Sequence, residues 1–147
     1  GDRSVMYVET LAPESSFAFY APPGTRMPLY CTAMGKLFLA HLSESALASA
    51  LKEIDWKRRT PQTITSAEEL LAQLPEIRAR GYAIDNEEYA AGVRCVAAPV
   101  MSHAGEPVAA ISVTALASRQ TGEREAGVAR AVTAACARIS ESLYAKP

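Results

Sequence analysis

Two apolar runs, Val93–Met101 (VRCVAAPVM) and Val108–Leu116 (VAAISVTAL), flank the short stretch His103–Glu106 (HAGE). Both runs are short and rich in β-branched residues, and a glycine sits in the connection, so they predict an antiparallel hairpin. Hairpin geometry then dictates which side chains share a face. If the loop spans His103–Glu106, Ser102 faces Pro107, and counting back sets Cys95 opposite Thr114 and Ala97 opposite Ser112. Side chains alternate by two along a strand, so these four point the same way. The other face carries Val96, Ala98, Ile111 and Val113, an ordinary core set. Small side chains with hydroxyl and thiol tips leave space and offer directional hydrogen bonds, as a small-ligand pocket requires. A face wetted by solvent or packed under a helix, with its hydroxyls bonded locally, is the competing reading of the same pattern.

The remaining segments supply helices for this sheet. Val5–Glu9 and Ser16–Ala21 are short and rich in aromatic and β-branched residues, and are expected to pair with each other. Pro22-Pro23-Gly24 breaks the chain. A helix over Met34–Leu42, capped by Thr32, places Met34, Leu37, Phe38 and His41 at helical spacing. Ser43 caps a second helix, with Leu47, Leu51 and Ile54 on one face. Ser66 and Glu69 form a capping box for a third, which ends at Gly81 and is kinked or split by Pro75. Tyr82–Glu87 reads as a strand. From Gly122 a last helix carries Val128, Val132, Cys136, Ile139 and Leu143 as a stripe suited to a sheet. The order β-β-α-α-α-β-β-β-α predicts an α+β architecture, an antiparallel sheet with helices on its faces.

Composition narrows the function classes. The chain has 147 residues, 49% apolar and 21% charged, which suits one domain with a core of its own. A formal charge of -1 provides no general attraction for polyphosphate, which disfavours direct nucleic-acid binding. Cys31, Cys95 and Cys136 are scattered without a CxxC, which fits a reducing, cytoplasmic setting and argues against structural zinc. No run approaches a membrane span. The opening Gly1-Asp2-Arg3, with the first methionine at Met6, reads as a domain cut from a longer protein or as a tagged start.

Few residues suggest chemistry on their own. The start of the Met34 helix exposes unpaired amides and attracts carboxylates, and Ala33 and Gly35 are small enough to permit close approach. Lys36 is expected to be solvated. Asp85-Asn86-Glu87-Glu88 has no histidine or cysteine at ligand spacing, so no metal is expected, and Glu87 and Glu88 should face solvent or pair with arginines. Trp56-Lys57-Arg58-Arg59 is the one basic run and reads as a solvated loop. His41 reads as a buried or capping histidine, His103 as a turn residue.

Four segments resemble a known family. PLYCTAMGKLFLA (Pro28–Ala40), EIRARGYAIDNEEY (Glu76–Tyr89), GVRCVAAPV (Gly92–Val100) and PVAAISVT (Pro107–Thr114) are similar, in order and spacing, to stretches of IclR-family transcriptional regulators. The resemblance implies a GAF-like effector-binding domain that follows a winged helix-turn-helix DNA-binding domain, in a homodimer or homotetramer. It also implies a site for a small organic acid from carbon or aromatic catabolism. Carried over, that site comprises the amides of Ala33 and Met34, then Asp85, Cys95, Ser112 and Thr114. Val93 stands on the wall, and Phe19 and Met27 add apolar lining. Thr114 stands where the family often has serine, Met34 is bulkier than usual, and Leu116-Ala117 replaces Gly-Pro. No cofactor is implied.

The reading is therefore of a non-catalytic sensor. A GAF-like thiol reductase using Cys95 and a pure dimerisation module are the alternatives.

Overall fold

The computed structural model describes residues 4–12 and 21–144. Its elements follow the expected order: β1 (Ser4–Met6), β2 (Arg26–Pro28), α1 (Ala33–Ala40), α2 (Glu44–Glu53), α3 (Ala67–Arg80), β3 (Ala83–Asn86), β4 (Val93–Met101), β5 (Pro107–Leu116) and α4 (Gly122–Tyr144). A short 3-10 turn, Ala117–Arg119, joins β5 to α4. Strands β3, β4 and β5 form an antiparallel sheet in that order, and β1 and β2 form a separate antiparallel pair.

The hairpin sets the register of the site. Cys95 pairs with Thr114 and Ala97 with Ser112, as side-chain parity requires. Near the loop the register slips: a bulge between Val100 and Met101 pairs Met101, rather than Ser102, with Pro107. Ser102 instead turns its hydroxyl to the amides of Ala104 and Glu106, the turn chemistry expected of a serine at that position.

Adjacent residues of β4 feed opposite layers. Ala97 packs with Ala33 and Met34 of α1, while Ala98 and Val100 pack with Val132 and Cys136 of α4. A larger cluster joins Leu37, Leu39 and Ala40 of α1 to Ala50 of α2 and to Leu70, Leu74 and Ile77 of α3. Leu37, Leu39 and Leu70 are completely buried, and each contributes roughly 1.5–3 kcal/mol through its loss of contact with water.

Several expectations are corrected. The described partner of the first strand is Arg26–Pro28, whereas most of the predicted Ser16–Ala21 strand lies outside the described residues. Val113 is 38% exposed because β5 is the sheet edge and α4 packs chiefly over β4. Ile139 and Leu143 are exposed for the same reason, since only Ala129, Val132 and Cys136 of α4 are buried. Helix α3 runs unbroken through Pro75. Pro75 and Leu71, whose carbonyl loses its helical partner there, both lie on the exposed side, where water can satisfy the carbonyl. The capping box is also shifted. Ser66 accepts from the Glu69 amide, but the Glu69 carboxylate takes the amide of Thr65 instead of that of Ser66.

Charge placement departs further. Lys36 is 1% exposed, and its Nζ lies 2.5 Å from Glu88 Oε1 and 2.9 Å from Gln73 Oε1. Neither Lys36 nor Glu88 faces solvent. Glu87, at φ 59°, spends its carboxylate on the Gly92 amide at 2.7 Å. The Trp56–Arg59 loop is tied down: Trp56 packs on Tyr30, and Arg59 lies over the Tyr89 ring at 4.6 Å. His41 caps α1 by bonding the Leu37 carbonyl, and His103 meets Tyr144 edge-on beside the hairpin turn.

Candidate ligand-binding site

The start of α1 is held in place by two local features. Thr32 has an extended backbone and accepts the Gly35 amide on Oγ1, while its hydroxyl donates to the Pro28 carbonyl at 2.7 Å. Gly35 lies so close to Leu29 that a Cβ there would stand 2.3 Å from the Leu29 carbonyl oxygen. The Thr32 hydroxyl takes the Gly35 amide and the Thr32 carbonyl takes the Lys36 amide. The amides of Ala33 and Met34 thus fall outside the helix's own bonding, at its positive end.

These residues border a hollow between α1 and the sheet. Tyr7, Met27, Thr32, Ala33, Met34, Asp85, Tyr89, Val93, Cys95 and Ser112 line it. Seven of the nine residues expected from the sequence are brought together there: Met27, Ala33, Met34, Asp85, Val93, Cys95 and Ser112. Thr114 is not among the lining residues. It stands beside Cys95, with Oγ1 3.2 Å from the sulfur, so it orients the thiol and makes no wall. Phe19 lies outside the described residues. Tyr7, Thr32 and Tyr89 were missed. Tyr7 was legible in principle, because it shares strand parity with Val5, which is buried against Met27 and Ala33. Thr32 carries only a capping signal in the sequence. Tyr89 follows the Asp85 turn, where no periodicity marks a facing side.

The hollow measures about 20 Å³, which accommodates about one water molecule. An organic acid fits only if a wall moves. Rotation of the Tyr7 side chain would make that room: its phenol lies beside the Ser112 side chain, while its backbone stays bonded to Thr25 and Gly24.

Asp85 dominates the electrostatics. Its Oδ1 accepts the amides of Glu88 at 2.7 Å and Tyr89 at 3.3 Å. Burial pushes its pKa up from the usual 3.8 to about 7. The Glu88 amide and Lys36 oppose that rise, and the Glu88 charge adds to it. Burial, with Asp85 next, pushes the Cys95 thiol up to about 12, and burial raises the Tyr7 phenol as well. Near neutral pH the walls therefore carry a neutral thiol, a neutral phenol and a carboxyl group that changes charge near pH 7. Cys31 is also pushed to about 12 by burial, and all three cysteines are free. A thiol reductase needs a thiolate near neutral pH, so this environment opposes that alternative.

Comparison with known proteins gives the fold a family. Residues 1–141 match the family model described as bacterial transcriptional regulator IclR C-terminal. The HTH-type transcriptional regulator BhcR of Paracoccus denitrificans is 39% identical over 140 residues, covering 95% of this chain and 50% of that protein. The crystal structure of Thermotoga maritima IclR superposes with a TM-score of 0.88 at 36% identity, covering 94% of this chain and 56% of that one. The inducer-binding domain of PobR from Acinetobacter, solved as a double mutant with 3-hydroxybenzoic acid, superposes with a TM-score of 0.74 at 25% identity, covering 88% of this chain and 75% of that one. The chain spans about half the length of the curated relatives it matches. These relatives are named as regulators of transcription and not as enzymes. The α+β arrangement is that of their GAF-like C-terminal domains, and the chain belongs to the IclR family of bacterial transcriptional regulators.

Proposed function

We propose that this domain senses a small organic acid in the hollow beneath α1 and relays its occupancy to a winged helix-turn-helix segment of a longer protein. The observation that carries this reading is the meeting of the α1 amides with Asp85, Cys95 and Ser112 around one enclosed space. The acid's carboxylate lies on the amides of Ala33 and Met34, and Ser112 and Cys95 bond its further oxygens. Asp85, when protonated, donates to the acid. When ionised, it accepts from a hydroxyl of the acid and repels the carboxylate. Tyr7 swings away from Ser112 to make room. The relay needs a coupling of about 1–3 kcal/mol between two states, which a few such contacts supply when they differ between those states. The regulator works in the cytoplasm as a homodimer or homotetramer. Among the described residues, no helix is long and apolar enough to cross a membrane.

Calorimetry with 3-hydroxybenzoate, the acid in the complex of the PobR double mutant, and with a series of smaller carboxylic acids tests the reading. Ser112→Ala and Asp85→Ala are each expected to weaken a binding acid about tenfold, the equivalent of about 1.4 kcal/mol. Tyr7→Ala should admit bulkier acids than the parent does. Unchanged affinity in both site variants removes the assignment. The small volume of the hollow favours one rival, a dimerisation module whose hollow stays closed. That rival predicts no thermal shift with any acid, in the parent or in Tyr7→Ala.

A further inference from the structure

The turn after β3 holds two buried carboxylates and directs them to different sides. Asp85 is 3% exposed and lines the acid hollow, whereas Glu88 is 5% exposed and does not. Their bonds are reciprocal: Asp85 Oδ1 accepts the Glu88 amide at 2.7 Å, and Glu88 Oε1 accepts the Asn86 amide at 3.4 Å. From the loop before α3, the Thr60 and Thr63 hydroxyls donate to the Glu87 and Glu88 carbonyls at 2.6 and 2.7 Å. The turn is therefore held on both sides, and Glu88 is fixed relative to Asp85.

One buried cation serves this turn. Lys36 Nζ lies 2.5 Å from Glu88 Oε1 and 2.9 Å from Gln73 Oε1 of α3. Asp85 takes the amides of Glu88 and Tyr89, and among the described residues no cation is bonded to it. The titratable groups that bear on Asp85 are Lys36, Glu88, Cys31, Cys95 and Tyr7, and Lys36 is the one cation among these. Across the cleft beside Lys36 stand Arg80 and Arg94, already paired with Glu76 and Glu125. Two carboxyl groups thus share one ammonium, and the geometry gives it to Glu88. A buried carboxylate without a counter-charge is costly, so the carboxyl left over is the one that holds a proton.

We propose that Glu88 is a positioning residue of the acid site: by holding Lys36 it keeps that cation from Asp85 and leaves Asp85 to carry a proton. Its effect on a bound acid rests on the reading of the hollow given above, whereas its effect on Asp85 does not. Without the Glu88 charge, Lys36 becomes the counter-ion of Asp85, which then stays ionised at neutral pH. The net charge of the cluster remains zero, but its negative member now lines the hollow and repels the carboxylate of a guest. Both influences already act on Asp85 in the required directions, Lys36 favouring its ionised form and Glu88 opposing it.

NMR titration of the Asp85 carboxyl carbon in aspartate-labelled protein, its signal assigned by loss in Asp85→Asn, tests the proposal. The parent is expected to titrate at about 7. Glu88→Gln should lower that midpoint by about 1–3 pH units, the usual effect of an adjacent cation on an aspartate. Lys36→Gln combined with Glu88→Gln removes both charges and should restore the high midpoint, because burial then acts alone. Neither variant leaves an unpaired charge, so both should fold at pH 7. The proposal is overturned by a parent midpoint in the ordinary aspartate range or by an unmoved midpoint in Glu88→Gln. A low midpoint that persists in the double variant, or failure of either variant to fold, overturns it as well. Calorimetry with 3-hydroxybenzoate then extends the result to the acid. Glu88→Gln is expected to bind it about tenfold or more weakly than the parent at pH 7, with the gap closing as pH falls. Equal affinity at pH 7 despite a lowered midpoint overturns the role in binding. No binding by the parent overturns the acid site instead, and the Asp85 titration still decides what Glu88 does.

Discussion

Gly35→Ala is expected to lower the stability of the domain by about 3 kcal/mol or more, an effect at the extreme of single-methyl additions. The reason is steric. A Cβ at this position would lie 2.3 Å from the Leu29 carbonyl oxygen, 2.4 Å from its Cα and 2.7 Å from its carbonyl carbon. All three atoms are backbone, so no rotamer change relieves the contact. Either α1 backs away from Leu29 or the segment Leu29–Thr32 rebuilds, and both open a core in which Tyr30, Leu37 and Leu39 are almost wholly buried. At about 2–4 °C per kcal/mol for a domain of this size, the thermal midpoint should fall by roughly 10 °C. Acid binding should fall with it, since the amides of Ala33 and Met34 move with the helix. Gly127→Ala on α4 is the control of opposite sign. Its nearest neighbour, Arg130 Nη2, would be 3.8 Å from the new methyl, and alanine in a helix is favoured over glycine by roughly 0.5–1 kcal/mol. Urea unfolding of the two variants beside the parent decides the matter. If Gly35→Ala unfolds within about 0.5 kcal/mol of the parent, the range of ordinary surface changes, the close approach to Leu29 does not constrain the fold.

That glycine illustrates which parts of the molecule were readable beforehand. Hairpin parity was enough to pair Cys95 with Thr114 and Ala97 with Ser112, because a strand has only two faces and the turn sets which residues oppose. The caps at Thr32, Ser43 and Ser66 were readable because they are local events within a few residues. What parity cannot supply is depth. It put Thr114 beside Cys95 but could not show that Cys95 lines the hollow and Thr114 does not. It treated Val113 as equivalent to Val96, although one lies on the sheet edge and the other is fully buried. The Lys36–Glu88 pair lies 52 residues apart in the chain. A lysine on a helix looks solvated until the fold brings a carboxylate to it, so no local pattern announces a buried pair. Resemblance to the family carried the site further than spacing did. It placed Asp85 and Val93, which no periodicity had singled out, among the residues that line the hollow. It did not supply Tyr7, which follows β1 and meets Ser112 of β5.

Asp85→Asn is expected to make the domain more stable at pH 8 while leaving it nearly unchanged at pH 4. In the unfolded chain Asp85 titrates near 3.8, and in the fold near 7. Between those values the folded protein holds a proton that the unfolded chain has lost, so stability declines as pH rises through this window and levels off above about 7. The decline attributable to this residue is at most about 4 kcal/mol, taking 1.36 kcal/mol per tenfold change in proton affinity. Asparagine keeps an oxygen for the amides of Glu88 and Tyr89, which lie 2.7 and 3.3 Å from Asp85 Oδ1, and it has no charge to bury. Function should move the other way. If the acid binds as an anion to the protonated form of Asp85, affinity in the parent falls by about tenfold per pH unit above 7. In Asp85→Asn that dependence disappears, together with the hydrogen bond a protonated carboxyl offers. Urea unfolding of both proteins at pH 4.5, 6 and 8 tests the stability side. A stability difference that does not change with pH would mean that Asp85 is already ionised throughout this range, with Lys36 close enough to hold it so. The anion would then have to bind beside a fixed negative charge, and only an acid carrying a hydroxyl to donate to that carboxylate could do so.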